Sequence, residues 1–147
     1  MNLFEVKVRF DKMHENGISK KVTELYLFDA LTFTEAEARA TEKLAPFISG
    51  DFSLSAVKRT KIAEIINQEG NGDKYYLFKV GFVTIDERTA IEKRSISHLL
   101  VKADNFKDAI SLFDESMKGS MADYEIVAVN ETMIIDVYLI NDNRDGE

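Results

Sequence analysis

Cysteine is absent from the 147 residues. Its absence excludes disulfides, thiol nucleophiles and thiolate metal sites, and it suits a reducing compartment. Proline occurs once and glycine seven times, too sparingly for long linkers or a disordered chain. No uncharged run approaches the roughly 20 residues of a membrane-spanning helix. The opening Met1-Asn2-Leu3-Phe4-Glu5-Val6 lacks the basic segment and apolar run of a signal peptide. Together these absences lead us to expect a soluble, cytoplasmic protein with no membrane partner. Basic residues are also in deficit, 19 against 26 acidic ones, for a formal net charge of −7. That balance works against nonspecific attraction to phosphate backbones, although one basic face can sit on an acidic protein.

The rest of the composition is that of a globular protein, 45% hydrophobic and 31% charged. The length fits one compact domain, or two very small units that share a core. We expect a single compact domain over residues 1–147, ending in a polar tail at 141–147.

Phe4, Val6, Val8 and Phe10 alternate with Glu5, Lys7 and Arg9, which predicts a strand with one buried face. Asn16-Gly17 suits a tight hairpin. The return strand runs from about Lys21 to Ala30, with Leu25 and Leu27 expected inward and Tyr26 and Phe28 on the other face. A helix then starts at Thr32 or Thr34, each three residues ahead of a glutamate, the capping-box spacing. Its apolar stripe is narrow and alanine-rich, its charged residues, Arg39 included, are expected outward, and Pro46 stops it. Phe52 to about Ile66 reads as one long strand with a bulge between Leu54 and Val57. Glu69-Gly70-Asn71-Gly72-Asp73 is a turn. It is expected to join that strand to Tyr75–Phe82 as a second hairpin.

The second half repeats the first. Phe78, Val80 and Phe82 match Val6, Val8 and Phe10 at an offset of 72 (78 − 6), and Lys79 falls on Lys7. Phe106 matches Phe33 at 73 (106 − 33), so one residue is gained in the loop Asp86-Glu87-Arg88-Thr89. Asn105 is placed to cap the second helix, and Ala109, Ile110, Phe113 and Met117 give it a richer apolar face. Tyr124 to Val137 repeats the long bent strand. The fold class is therefore α+β: a duplicated β-β-α-β unit, with repeats over about 3–68 and 75–140, in which bent antiparallel sheets pack on two helices.

The order strand, helix, long strand, hairpin, strand over Tyr26–Phe82 resembles the dodecin type of fold. This is a likeness of architecture alone, and no flavin function is carried over. More specific are Phe4-Glu5-Val6-Lys7-Val8-Arg9-Phe10, Lys21-Val22-Thr23-Glu24, Phe33-Thr34-Glu35-Ala36-Glu37-Ala38-Arg39, Phe47-Ile48-Ser49-Gly50 and the run from Met117 to Ile126. With these the chain resembles, nearly end to end, the family called domain of unknown function 4494. The resemblance implies an accessory gene of gut bacteria, their phages or mobile elements, and brings no activity and no catalytic residues.

Chemistry is sparse. His14 falls in a hairpin loop and His98 in a strand, and neither has partners at the spacing of a metal site or a nucleophile–base pair. The acidic stretches at 69–73 and 141–147 lack the ligand spacing of a calcium loop. No catalytic, cofactor or metal residue is assigned, and no cofactor is expected. Lys58, Arg59 and Lys61 form the densest basic run, near which Lys7, Arg9, Lys20 and Lys21 could lie. A basic strand face beside Tyr75 and Tyr76 is the kind of surface that tracks a nucleic-acid strand. Its bland counterpart is a solvated face balanced by Glu5, Glu24 and Glu64. The second repeat has Asn130-Glu131-Thr132-Met133 there, so a basic site would belong to one half only. Phe28, Tyr75, Tyr76 and Tyr138 fall where exposure is open to them, and apolar groups on both strand faces imply a cover such as the other repeat or another subunit. We expect a non-enzymatic binding or assembly module with a protein partner or self-association. The alternative is a nucleic-acid-binding protein using Lys58, Arg59 and Lys61, and the third reading is a small enzyme or ligand-binding domain whose site has no sequence signature.

Overall fold

A computed structural model describes residues 1–140. The polar tail expected at 141–147 lies outside the described residues. Those described form eight strands, two α-helices and a short 3-10 turn. They cluster into two compact units. One holds residues 1–60 and 134–140, and the other holds Lys61–Met133.

In the first unit β1 (Leu3–Met13) and β2 (Ser19–Asp29) form a hairpin. The five-residue loop between them is closed by His14 and Ile18, with Gly17 at φ +79°, a conformation glycine adopts freely. Helix α1 (Phe33–Leu44) packs on the hairpin, and β3 (Phe52–Arg59) lies along the other side of β1. Strand β8 (Ile134–Tyr138) runs parallel to β2, so the sheet order is β3-β1-β2-β8. In the second unit β5 (Lys74–Ile85) and β6 (Glu92–Ala103) form the hairpin, with α2 (Phe106–Met117) upon it. Strand β7 (Asp123–Glu131) flanks β5, and β4 (Ile62–Ile66) lies parallel to β6, so the order is β4-β6-β5-β7.

The two sheets repeat each other in register, irregularities included. Val6 faces Val57 as Phe78 faces Val129. The expected bulge is present: Val8 faces Leu54 and Lys7 faces Ala56, leaving Ser55 over. Its counterpart leaves Val127 over, opposite Lys79 and Val80. Leu25 faces Ile134 as His98 faces Ile62, and the slip after each pair is the same. A Thr60 clasp, N–H and hydroxyl both on the Leu3 carbonyl at 2.9 Å, recurs as Thr132 on Tyr75.

That clasp marks where the expected long strand breaks. Phe52–Ile66 is not one strand: β3 ends at Arg59, and β4 begins at Ile62 in the other sheet. The chain breaks again after Glu131, and β8 returns to the first sheet. The last strand of each repeat thus completes the sheet of the other. The turn at 69–73 consequently does not make a hairpin, because β4 neighbours β6 rather than β5. Its loop is tied across the end of β6 instead. Asn67 Nδ2 donates to the Lys102 carbonyl at 2.9 Å, and the Asp73 N–H donates to Asp104 at 3.1 Å. A Cβ on Gly72 (φ +155°) would lie 2.7 Å from the Ala103 backbone nitrogen, so the approach demands glycine there.

The helices start as their caps predict. Thr32 Oγ1 accepts from the Glu35 N–H at 3.1 Å, and Glu35 reaches back to the Leu31 N–H. Asn105 Oδ1 accepts from the Asp108 N–H at 2.9 Å. Helix α1 ends at Leu44, and Pro46 sits in the 3-10 turn Ala45–Phe47 that follows.

The two cores fill the space between helix and sheet by opposite routes. In unit 1 a small Ala40 lies among Phe28 and Tyr138, stacked at 4.7 Å. In unit 2 the corresponding positions hold a large Phe113 with Val101 and Ile66. Large residues on the sheet offset small ones on the helix, and the reverse, which keeps each layer filled. Leu27, expected inward, is fully buried but on the opposite face of the strand, and the helix-facing residues of β2 are Tyr26 and Phe28. The register Val6 to Tyr26 puts them on the Val6 side, beneath α1. Phe28, Tyr75, Tyr76 and Tyr138 are all buried, against the expectation that they could be exposed. Arg39 is likewise not an outward helix charge. Its guanidinium donates to the carbonyls of Asp29 and Leu139, past the ends of the parallel strands β2 and β8.

Candidate functional site

The basic residues singled out by sequence are not brought onto one surface. Lys58 faces Glu5 and Arg59 faces Phe4, so their side chains leave β3 on opposite faces. The Arg59 guanidinium lies over the Phe4 and Phe33 rings, at 5.1 and 5.7 Å from their centroids. That packing ties it to the helix side of its own sheet. Lys61 belongs to the two-residue link into β4 and to the other unit. Tyr75 and Tyr76 are buried, with Tyr75 donating to Gln68 at 3.0 Å and Tyr76 against Phe106 at 4.8 Å, so neither is a stacking platform. His14 lies in the exposed loop after β1, and His98 stands half-buried on β6 between Lys79 and Ile62.

A cleft forms elsewhere, at the far end of unit 1. The helix-facing row of β1 runs Val6, Val8, Phe10 and Lys12, and that of β2 runs Phe28, Tyr26 and Glu24. Helix α1 covers only the first part of this surface, because Pro46 ends it. Beyond it the 3-10 turn leaves about 240 Å³ open between Phe47-Ile48-Ser49 and the strands. Phe10, Lys12, Glu24 and Tyr26 line the strand side, with Asp11 and Met13 beside them.

Glu24 is an acid on the face where alternation calls for apolar residues. It is held there: Tyr26 donates its hydroxyl to Glu24 Oε1 at 3.0 Å, and Lys12 stands 3.8 Å from Oε2. The Lys12 pair is exposed and long, so it contributes little stability by itself. Burial, followed by the charge and hydrogen bond of Glu24, pushes the Tyr26 phenol well above the ordinary tyrosine range. Tyr138 and Asp136 of β8 add to the shift. The cleft thus presents a neutral phenol donating to a fixed carboxylate. Phe47, 75% exposed, stands at its rim.

Unit 2 has no such arrangement. By the shared register, Lys12, Glu24 and Tyr26 correspond to Thr84, Ser97 and Leu99. Helix α2 is followed directly by Lys118 and Gly119, without a 3-10 turn. The two otherwise matching units differ in the residues they carry at this place.

The family model described as Domain of unknown function (DUF4494) matches residues 2–140. The chain belongs to this family. No curated protein and no solved structure matches it. None of the helices in the described part of this DUF4494 protein is long and apolar enough to cross a membrane. Sequence reading of the DUF4494 chain missed Glu24 and Tyr26 as a pair. One signal was available: Glu24 and Tyr26 are two apart, so they share a strand face, and the corresponding Ser97 and Leu99 lack the pair.

Proposed function

We propose that this DUF4494 protein is a non-enzymatic binding module, and that it binds through the unit 1 cleft. The observation that carries the reading is the difference between the units. Duplication alone leaves two copies of whatever the fold requires, and the register shows how closely those requirements were kept. A fixed carboxylate on an inward face weakens a core and is absent from the matching position in unit 2, so packing does not call for it. Recognition of a ligand or of a projecting group on a protein partner does. A bacterial or phage accessory gene as its setting is part of the same proposal.

NMR amide shifts of the full chain, screened with a set of small organic probes, test this. The expected result is saturable shifts at Phe10, Tyr26 and Phe47, with none at Phe82 or Leu99. Absence of saturable shifts at the cleft would overturn the reading.

The alternative proposal, nucleic-acid binding through Lys58, Arg59 and Lys61, has weaker support. Those cations diverge, and Arg59 is engaged by two rings. A gel shift at low salt that is lost on Lys58→Ala would favour it over the cleft.

A further inference from the structure

We propose that the unit 1 cleft takes a small organic cation: an amine or guanidinium group on an apolar body about the size of an amino-acid side chain. This rests on the binding reading above and adds the chemistry of what is bound. Three observations point the same way.

The first is charge. On the helix-facing rows that line the cleft, Glu24 is the acid and Lys12 the base, and the acidic Asp11 lies beside them on the alternate row of β1. The wall Phe47-Ile48-Ser49 follows the carboxyl end of α1, the end of a helix that carries partial negative charge. Lys43, in the last turn of α1, is not among the lining residues.

The second is the state of the Glu24 carboxylate. Tyr26 donates to Oε1 and so fixes the group. Oε2 has only Lys12, at 3.8 Å, beyond hydrogen-bonding distance. A ligand ammonium or guanidinium that moves Lys12 aside would approach to about 2.8 Å and make the charge-assisted bond that Lys12 does not. Anionic ligands meet the opposite situation, since a carboxylate or phosphate would face the Glu24 charge and the carboxyl end of α1.

The third is the apolar lining and the size. Phe10, Tyr26 and Phe47 are aromatic lining residues, and aromatic rings attract a cation and pack its carbon chain. About 240 Å³ is below the range of ordinary ligand pockets, which starts at about 300 Å³. Such a volume matches an arginine or lysine side chain, or a free amine of similar length.

The test is an NMR titration of the isotope-labelled full chain with four probes: phenethylamine, phenethyl alcohol, hydrocinnamate, and an end-blocked peptide bearing one arginine. Phenethylamine is expected to shift the amides of Lys12, Glu24, Tyr26 and Phe47 saturably. It should bind about tenfold more tightly than the alcohol, the difference one charge-assisted bond makes. In Glu24→Gln the amine should fall to the level of the alcohol. The ratio of amine to alcohol in the unmodified chain gives the answer even if the variant folds poorly. Saturation by the peptide at lower concentration than by the amine would assign the cation to a protein partner, and the reverse order to a free metabolite. Alcohol or hydrocinnamate binding as tightly as the amine would overturn the cation and leave the cleft a binding site. No saturable shift with any probe would overturn both.

Discussion

If each repeat's last strand completes the other repeat's sheet, a core substitution in that strand should damage the unit that does not share its repeat. Tyr138 and Ile66 occupy matching places, each 9% exposed, on β8 and β4. Tyr138 stacks on Phe28 at 4.7 Å with the rings nearly parallel. Tyr138→Ala removes a buried ring and leaves a cavity, for which large-to-small substitutions cost about 3–5 kcal/mol. The stacked pair accounts for about 1 kcal/mol of that. Ile66→Ala should cost about 2–4 kcal/mol on the same grounds. A unit this small has a total stability near the low end of about 5–15 kcal/mol, so either change uses most of its margin. The assay is residue-resolved hydrogen exchange. Tyr138→Ala should speed exchange at Val6 and Val8 by two to three powers of ten and leave Phe78 and Val80 near their original rates. Ile66→Ala should do the opposite, although Ile66 precedes Phe78 in the chain and belongs by sequence to the first repeat. The reasoning is refuted if each substitution loosens the unit of its own repeat. Equal loosening of both sets would refute the view that the two sheets are separate cooperative units.

Four further outcomes follow from single contacts. Tyr26 keeps its proton in the folded state to higher pH than in the unfolded chain, so its contribution is complete below pH of about 10 and is lost as pH rises through the folded value. The stability difference between the unmodified chain and Tyr26→Phe, measured by urea unfolding, should therefore hold up to about pH 10 and shrink steadily above it, and a difference that stays constant above that pH would contradict the assignment. Gly72→Ala forces a Cβ against the Ala103 backbone at an unfavourable φ and should cost more than about 1 kcal/mol, seen as a lower urea midpoint. Thr32→Ala and Asn105→Ala each remove a helix cap and should each lower stability by about 1 kcal/mol in thermal melts, with α1, the less apolar helix, the more affected in its circular dichroism. Arg39→Leu, the residue that unit 2 carries at this place as Leu112, should speed exchange at Leu27 and Tyr138 if the guanidinium holds the parallel strands β2 and β8 together.

Local signals were strong in this chain. Alternation at Phe4–Phe10 set the hairpin strand, Thr32 and Glu35 set the first helix start, and Pro46 set its end, because each depends on neighbours within about four residues. The slip between Leu54 and Val57 marked a true bulge. The offset that pairs Val6 with Phe78 marked the duplication, since like sequence repeats like structure. What local pattern does not carry is the destination of a strand. Ile62–Ile66 and Ile134–Tyr138 read as continuations of the strands before them, and nothing in their residues says which edge they join. That was decided by the Thr60 and Thr132 clasps, which end β3 and β7, and by edges of β2 and β6 that need a neighbour.

The candidate site divides the same way. Lys58, Arg59 and Lys61 are adjacent in sequence, and adjacency on a strand sends side chains to opposite faces, so a run of like charge is not a surface. Glu24, Tyr26, Lys12 and Phe47 are scattered along the chain, and only the hairpin register and the end of α1 bring them together. By itself, then, the sequence determined the elements, their caps and their twofold repetition, because short-range sterics and hydrogen bonds suffice for those. Tertiary structure alone decided which sheet each final strand completes and where a cleft opens, because both depend on contacts between residues far apart in the chain.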